Sequence, residues 1–432
     1  MFKFAHLSDI HLGAFRDPTI RQLERQALEE TCRKCVELKV DFVLICGDIF
    51  HVSIPDLAIV DDTIRAFWIL REAGIPVYAI YGSHDSTPNG TSVIDILNTA
   101  GIITNVSKLR IDEEGYAILS FVVDKKTGAK LAGLSARRIG LESKFYEKLD
   151  RARLEAEKGP KIFAFHSGIS EFKPAFLDEM ETIPISYLPK GFEYYAGGHI
   201  HERNVFHKRP DYQEIAFPGP LFTGYGKDIE ETAKGVERGF FLVEFGDEAG
   251  GQKFRSVDFV PVKGFNGAYL EYDAGGKNSQ AARKDLSKKL DDLEVNGKVI
   301  VVRVKGELAG GKTTDIDFAE LSRKLLTRGA VYVHFNRFSL TSKEYTANRI
   351  AGEDPPTIEA NLFRENIGAV KVSQPNLKGD AGVSSALELL KVERQPQKSG
   401  ESKSSYSERL ARSGVQTLKI REDFEEEEEA EA

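Results

Sequence analysis

Five short motifs rich in Asp, His and Gly each close an apolar run, and this recurrence limits the possible folds more than any other feature. Lys3 to Ser8 leads into Asp9-x-His11. Asp41 to Cys46 leads into Gly47-Asp48-x-x-His51, and Pro76 to Tyr81 into Gly82-Ser83-His84-Asp85. Later, Lys161 to Phe165 is followed by His166-Ser167-Gly168, and Tyr194 to Ala196 by Gly198-His199-Ile200-His201. Short, largely apolar runs of this kind read as buried strands of a parallel sheet. Ligands of such sheets bind just past the C-terminal strand ends. Six of the nine histidines lie in these five stretches, so the chemistry is expected along one edge of the sheets.

Helical periodicity fills the intervals. Thr19 to Leu38, Leu57 to Ala73 and Ser92 to Ala100 read as helices, and Ala117 to Val123, Lys130 to Ser135, Glu214 to Phe217 and Gly239 to Phe245 as further strands. The expected architecture is α/β: a two-sheet β-sandwich core flanked by helices. Gly246 to Gln252 is turn-rich and reads as a break. After it, Gly267 to Asp273, Ser279 to Leu293, Lys298 to Val304, Phe318 to Arg328 and Ala330 to Phe338 spell strand, helix, strand, helix, strand, a small α/β domain. Beyond Ser342 the pattern loosens into a linker, short helices and an acidic tail, with a solvated, disordered tail as the alternative. The domain expectation is therefore 1–245, 246–342 and 343–432, in keeping with a length of 432 residues.

Charge needs care. The formal net charge is −8, but Glu422 to Ala432 carries eight acids and no base, so the rest of the chain is neutral on balance. A nucleic-acid partner is thus not excluded and would be met by a local basic surface. No apolar run is long enough to cross a membrane, and the N-terminus enters a strand without the order of a signal peptide, so the expectation is a cytoplasmic protein with no membrane association. Cys32, Cys35 and Cys46 are too few for a disulfide framework. Cys32-x-x-Cys35 lies within a helical pattern where a spacing of three is ordinary, and no second pair completes a zinc site.

Imidazole and carboxylate are ligand types for manganese, iron or zinc, and the neighbouring glycines let the backbone turn sharply enough for side chains to converge. A lone Asp-x-His is usually a turn; five such motifs in succession at strand ends point to a two-metal site. In order and composition they resemble the calcineurin-like metallophosphoesterase superfamily. The opening His6-Leu-Ser-Asp-Ile-His-Leu-Gly13, the form Gly47-Asp48-Ile49-Phe50-His51 and the second α/β domain are similar to the nuclease branch that serves double-strand-break repair, with SbcD as its bacterial member.

The resemblance implies one metal held by Asp9, His11, Asp48 and His201 and a second by Asp48, Ser83, His166 and His199, with Asp48 shared. Two Mn²⁺ are expected, with Mg²⁺ or Fe²⁺ as alternatives. Ser83 departs from the family, which has Asn there; a hydroxyl is a shorter, weaker ligand, and a water could fill the gap. His84 is implied as the group that stabilises the transition state or protonates the leaving oxygen, and His51 as the group that orients the phosphate. The plainer alternatives are that His84 bonds Asp85 and that His51 caps the next helix. The implied activity is 3′→5′ exonuclease on duplex DNA ends and endonuclease on single strands. An SbcC-like coiled-coil ABC ATPase would be gripped by C-terminal helices at about 383–420, where Val383 to Val392 and Tyr406 to Leu418 are amphipathic. A homodimer is implied through helices near Asp56 to Ala73, which carries Ile64, Phe67, Trp68 and Leu70. The rival class is a two-metal phosphoesterase of small molecules or phosphoproteins; a third reading is a DNA-end scaffold with a decayed site.

Two signals point elsewhere. Gly306 to Thr313 spells G-x-x-x-x-G-K-T after a strand, but Thr313 to Asp317 intervenes before the helical pattern, and the next strand lacks the acid that would hold magnesium. It reads as a flexible loop whose Lys312, with Lys305, could touch DNA phosphate. His6 alternates with Phe2 and Phe4 and reads as a core residue.

Overall fold

The computed structural model describes residues 1–87, 90–136, 143–173, 182–209, 211–248, 251–343, 355–367, 377–398 and 403–418. The acidic tail and the centre of the Gly/Ser/Lys-rich stretch lie outside the described residues. The chain divides into two compact units. The first comprises Met1–Leu308 and Thr313–Thr341, the second Ala309–Lys312 and Ser342–Ala432.

The first unit is built on the expected sandwich. In one six-stranded sheet Phe2–Leu7 lies at the centre, parallel to Phe42–Cys46, which in turn pairs in parallel with Val77–Ile80. In the other, Lys130–Leu134, Lys161–His166, Tyr194–Gly198 and Tyr212–Phe217 run parallel. Their facing side chains, among them Phe4, Phe42, Leu44, Ile80, Ile162, Tyr194 and Phe245, form a buried middle layer. The outer face of the first sheet is covered by Pro18–Glu37 and Leu57–Glu72, through Ala27, Leu28, Cys32, Cys35, Phe67 and Leu70. The cysteines are thus core packing, and burial pushes the Cys35 thiol up to about 12. Both helices start where the sequence offers a cap: Asp17 Oδ1 accepts from the N–H groups of Thr19 and Ile20, with Pro18 in the first turn, and Asp56 accepts from Ala58.

The sheet continues past the break expected at Gly246. Arg238–Glu248 and Gly251–Val262 are antiparallel along their whole length, from Arg238 opposite Val262 to Glu248 opposite Gly251. The second of these is an edge strand, with exposed Lys253, Arg255 and Asp258, so it lacks the apolar run that announces a buried strand. Asn204–Arg209, another antiparallel strand at a sheet edge, escapes sequence reading for the same reason.

The smaller sheet places Val299–Leu308 between Gly267–Asp273 and Tyr332–Asn336, all parallel. Ile300, Val302 and Val304 pack on Leu286, Leu290, Leu321 and Leu325 of the helices Ser279–Asp291 and Phe318–Thr327. Val299 and Val301 face the other way and join the larger core with Phe222 and Ala233. The Gly-rich loop opens no helix at Lys312: Thr313–Asp315 is a single 3₁₀ turn, and the helix begins at Phe318, capped by Asp317. The second unit contains the helices Pro355–Ile367, Gly379–Glu393 and Lys403–Leu418, with Arg394 paired to Glu359 at 2.7 Å. No described helix is long and apolar enough to cross a membrane.

Candidate metal centre

The strand ends converge. Asp9 and His11 leave the central strand of the first sheet, Asp48 leaves its parallel neighbour, and His166 and His199 leave neighbouring parallel strands of the second. To turn into the gap between the sheets, the backbone adopts the left-handed region at Asp9 (φ 51°), His11 (φ 50°), Asp48 (φ 53°) and His199 (φ 83°). Such conformations cost about 1–3 kcal/mol each and persist where surrounding structure over-determines them. Gly82 is required for a different reason: a Cβ there would stand 2.0 Å from Asp48 Oδ1. The glycine before Ser83 therefore exists to let the Asp48 carboxylate pass.

Asp9, His11, Asp48 and His166 are buried. The ligand-type atoms of Asp9, His11 and His201 lie within 4.8 Å of one another, as do those of Asp9, Asp48 and His166, and those of His11, His51 and His84. His166 Nε2 is 3.2 Å from Asp48 Oδ2, and His11 Nε2 is 3.7 Å from the same oxygen. His201 Nε2 stands 3.9 Å from Asp9 Oδ1 and 3.2 Å from His11 Nε2. The His199 ring lies 5.2 Å from that of His166. The Ser83 hydroxyl is 3.5 Å from Asp48 Oδ2, at the limit of a hydrogen bond, so serine reaches the site weakly. Every residue the sequence nominated therefore lies in or beside one cluster.

The donor set fits divalent cations. Buried polar atoms ordinarily find hydrogen bonds, yet His166 Nε2 and His11 Nδ1 have no such partner. His166 Nε2 faces the Asp48 carboxylate across 3.2 Å, an ion-pair distance. Its ring is fixed from behind: the Cys46 carbonyl accepts from His166 Nδ1 at 2.7 Å, which leaves Nε2 facing the cluster. That is the arrangement by which proteins orient a metal-binding imidazole.

Electrostatics follow from burial and pairing. Burial pushes His11 down to about 3 and His199 down to about 4, keeping both neutral as ligands must be. Burial opposes charge on His166 as well, but the Asp48 carboxylate beside it prevails and raises it to about 10. Asp48 itself is held well below the carboxylate range, since His166 and His11 outweigh the cost of its burial. Cation binding here is consequently linked to release of a proton.

Two supporting residues, Asp228 and Tyr225, carried no signal of their own in the sequence, whereas Asp85 closed the third motif. Asp228 Oδ2 accepts from His201 Nδ1 at 2.8 Å and from the N–H groups of Gly224 and Tyr225 at 2.9 Å. Asp228 sits on the helix Gly226–Ala233, beyond the last histidine motif, and only folding brings it back. The Asp85 carboxylate accepts from the N–H groups of Gly82, Ile49 and Phe50, tying the third motif to the second; it does not bond His84. His84 instead donates from Nδ1 to the His51 carbonyl at 2.6 Å, and its Nε2 accepts from the Tyr225 hydroxyl at 2.7 Å. The nitrogen assignment is fixed because a carbonyl can only accept. The His51 ring stacks on that of His84 with centroids 5.1 Å apart. Asp48, Ser83, His84, His201 and Tyr225 line an open cavity of about 410 Å³. His6 takes no part: Tyr194 and Gly197 bond its two nitrogens, as befits a core residue.

Known proteins agree with this geometry. The calcineurin-like phosphoesterase family matches residues 2–203. The chain is similar to the DNA double-strand break repair protein Mre11 of Archaeoglobus fulgidus, 26% identical over 275 residues, which are 63% of this chain and 59% of that protein. Its counterpart in Methanococcus maripaludis is 24% identical, over 60% of this chain and 67% of the relative. That of Saccharolobus solfataricus is 26% identical, over 71% and 76%. The chain thus spans less than two thirds of the Archaeoglobus protein. The segment that matches the calcineurin-like phosphoesterase family, residues 2–203, also supplies Asp9, His11, Asp48, Ser83, His166, His199 and His201.

Proposed function

We propose that this chain is a metal-dependent DNA nuclease of double-strand-break repair, cutting duplex ends 3′→5′ and single strands internally. The observation that carries the reading is the Asp48 carboxylate, buried between imidazoles from both sheets and open to a cavity wide enough for a phosphodiester. The names of the archaeal relatives support DNA as the substrate.

Asp9, His11, Asp48 and His201 would hold one cation, and Asp48, Ser83, His166 and His199 the other, with Mn²⁺ the proposed ion. When bound, such cations neutralise phosphate charge and acidify water. His84 is the proton carrier of the chain itself. With Nδ1 committed to the His51 carbonyl, only Nε2 can exchange a proton with a leaving ribose oxygen, and it reaches the cavity beside Tyr225. Burial pushes the Tyr225 phenol up to about 12, so it stays protonated and can steady Nε2 as a donor. His51 holds His84 through its carbonyl and is proposed to meet the scissile phosphate with its ring.

The remaining assignments follow the same reading. The nuclease domain, expected over 1–245, would run on to Val262 with the strand pair Arg238–Glu248 and Gly251–Val262; the rest of 246–342 would cap the DNA, and 343–432 would bind an SbcC-like ABC ATPase through helices in about 383–420. A homodimer would form around Leu57–Glu72, where Leu57 is 82% exposed and Trp68 lies outside the core under the Arg71 guanidinium.

Degradation of end-labelled duplex DNA with Mn²⁺, Mg²⁺ or EDTA tests the reading, with His84→Ser in parallel. Cleavage should require the metal and fall about 10²–10⁴-fold in the variant, the usual contribution of a proton-transfer group. Hydrolysis that persists in EDTA, or activity confined to nucleotides and phosphoproteins, would remove it.

A further inference from the structure

Tyr225, Gly226 and Lys227 stand between two cavities. Tyr225 and Lys227 line the one that holds Asp48 and His84. Gly226 lines a second of about 540 Å³, whose other walls include Phe318, His334, Asn336, Arg337 and Phe338. Phe338 is 96% exposed, the most exposed of the large hydrophobic side chains among the described residues. It sits on the turn between Tyr332–Asn336 and Leu340–Ser342. Polar residues ordinarily occupy such a tip, because an aromatic ring in water forgoes the burial that favours folding.

The turn is braced rather than loose. Asn336 Oδ1 accepts from Phe338 N–H at 3.1 Å, Leu340 N–H donates to the Arg337 carbonyl at 3.0 Å, and Gly306 N–H donates to the Ser339 carbonyl at 2.9 Å. The Asn336 amide also bonds Glu230, on the helix that carries Asp228 and so orients His201. Arg303 reaches the same Glu230 at 3.3 Å. The turn that carries Phe338 is therefore tied to the helix that carries Asp228. The preceding residue, Arg337, has its guanidinium 4.8 Å from the Phe318 ring centre and adds positive charge to the lining of the same cavity.

We propose that Phe338 is a stacking platform for an unpaired nucleobase of the strand whose phosphodiester lies at the metal centre, with Arg337 facing the adjoining backbone phosphate. This rests on the nuclease reading and deepens it. An exposed aromatic face on a braced turn, next in the chain to a basic residue and one helix away from the proposed phosphodiester site, matches how single strands are held: bases stack irrespective of sequence and phosphates meet basic groups. A platform of this kind favours frayed, recessed or single-stranded ends over fully paired blunt ends.

Fluorescence anisotropy with a single-stranded oligonucleotide in EDTA, which stops cleavage, tests the proposal. Phe338→Ala should weaken binding about 5- to 150-fold, the range of one lost base stack. Phe338→Trp should restore it, whereas Phe338→Leu, apolar but without a π face, should not. Quenching of 2-aminopurine placed at the stacked position should vanish in Phe338→Ala, while hydrolysis of bis(p-nitrophenyl) phosphate with Mn²⁺ stays at the wild-type rate. Unchanged binding in Phe338→Ala would overturn the platform while leaving the nuclease reading intact. Full restoration by Leu would also overturn it, since apolar contact without a π face would then suffice. A wild-type protein that neither binds nor cleaves DNA would overturn both readings.

Discussion

At the residue scale the centre is a set of candidate ligands whose aim depends on groups behind them. His201 is the clearest case, because its Nδ1 is spent on Asp228 and only Nε2 faces Asp9 and His11. Burial opposes protonation of His201, but the bond to Asp228 and the nearby Asp9 raise its pKa. Replacing a group of this kind typically lowers metal affinity about 10–100-fold. Asp228→Asn is expected to weaken Mn²⁺ binding by that amount in titration calorimetry, with the fold retained. Affinity equal to wild type would mean that His201 does not hold metal through this orientation. Nothing in the sequence singles out Asp228, one acid among many on a polar helix, since its role is created by the return of the chain after the last histidine motif.

At the scale of elements, the active edge depends on loops being tied to one another. Asp85 is the tie between the loop after Val77–Ile80 and the loop after Phe42–Cys46, and it serves three backbone N–H groups at once. Burial, with Asp48 nearby, pushes Asp85 up to about 6. Asp85→Ala would leave those donors without an acceptor, and a buried unsatisfied group costs about 1–3 kcal/mol. The expected result is a loss of at least about 3 kcal/mol in urea unfolding, together with reduced phosphodiester hydrolysis as His84 loses its placement. Asp85→Asn, which keeps an acceptor oxygen, should recover part of both. A variant as stable as wild type would show that the two loops are held by something else. The apolar runs and their order were legible here because buried strands and capped helices leave local signatures. The edge strand Gly251–Val262 was not, since its residues alternate toward solvent and only pairing with Arg238–Glu248 makes it a strand.

For the whole molecule, the histidine between the sheets links folding to pH. His6 is buried with both nitrogens bonded, and burial pushes its pKa down to about 3. In the unfolded chain it titrates near the ordinary value of about 6.5. The unfolded state therefore binds the extra proton first as pH falls, so this contribution is complete above about pH 6.5 and is lost progressively toward pH 3. Between pH 7 and 5 the loss amounts to about 2 kcal/mol. The difference in unfolding free energy between those pH values should be smaller by about that amount in His6→Gln than in the native chain. Identical pH slopes would mean that His6 does not titrate on unfolding.

The sequence by itself determined the α/β layering, the order of the strands and the residue types at their ends, because burial and ligand chemistry are written locally as apolar runs and as Asp, His and Gly. It also nominated the Asp, Ser and His side chains that the fold gathers into the candidate metal centre. Tertiary structure alone decided that Asp48 stands between imidazoles from two different sheets, that Asp228 orients His201 while Tyr225 meets His84, and that Phe338 stands exposed on a braced turn. The physical reason is that a ligand's direction is set by hydrogen bonds from residues distant in the chain, and such partners leave no periodicity or motif to read.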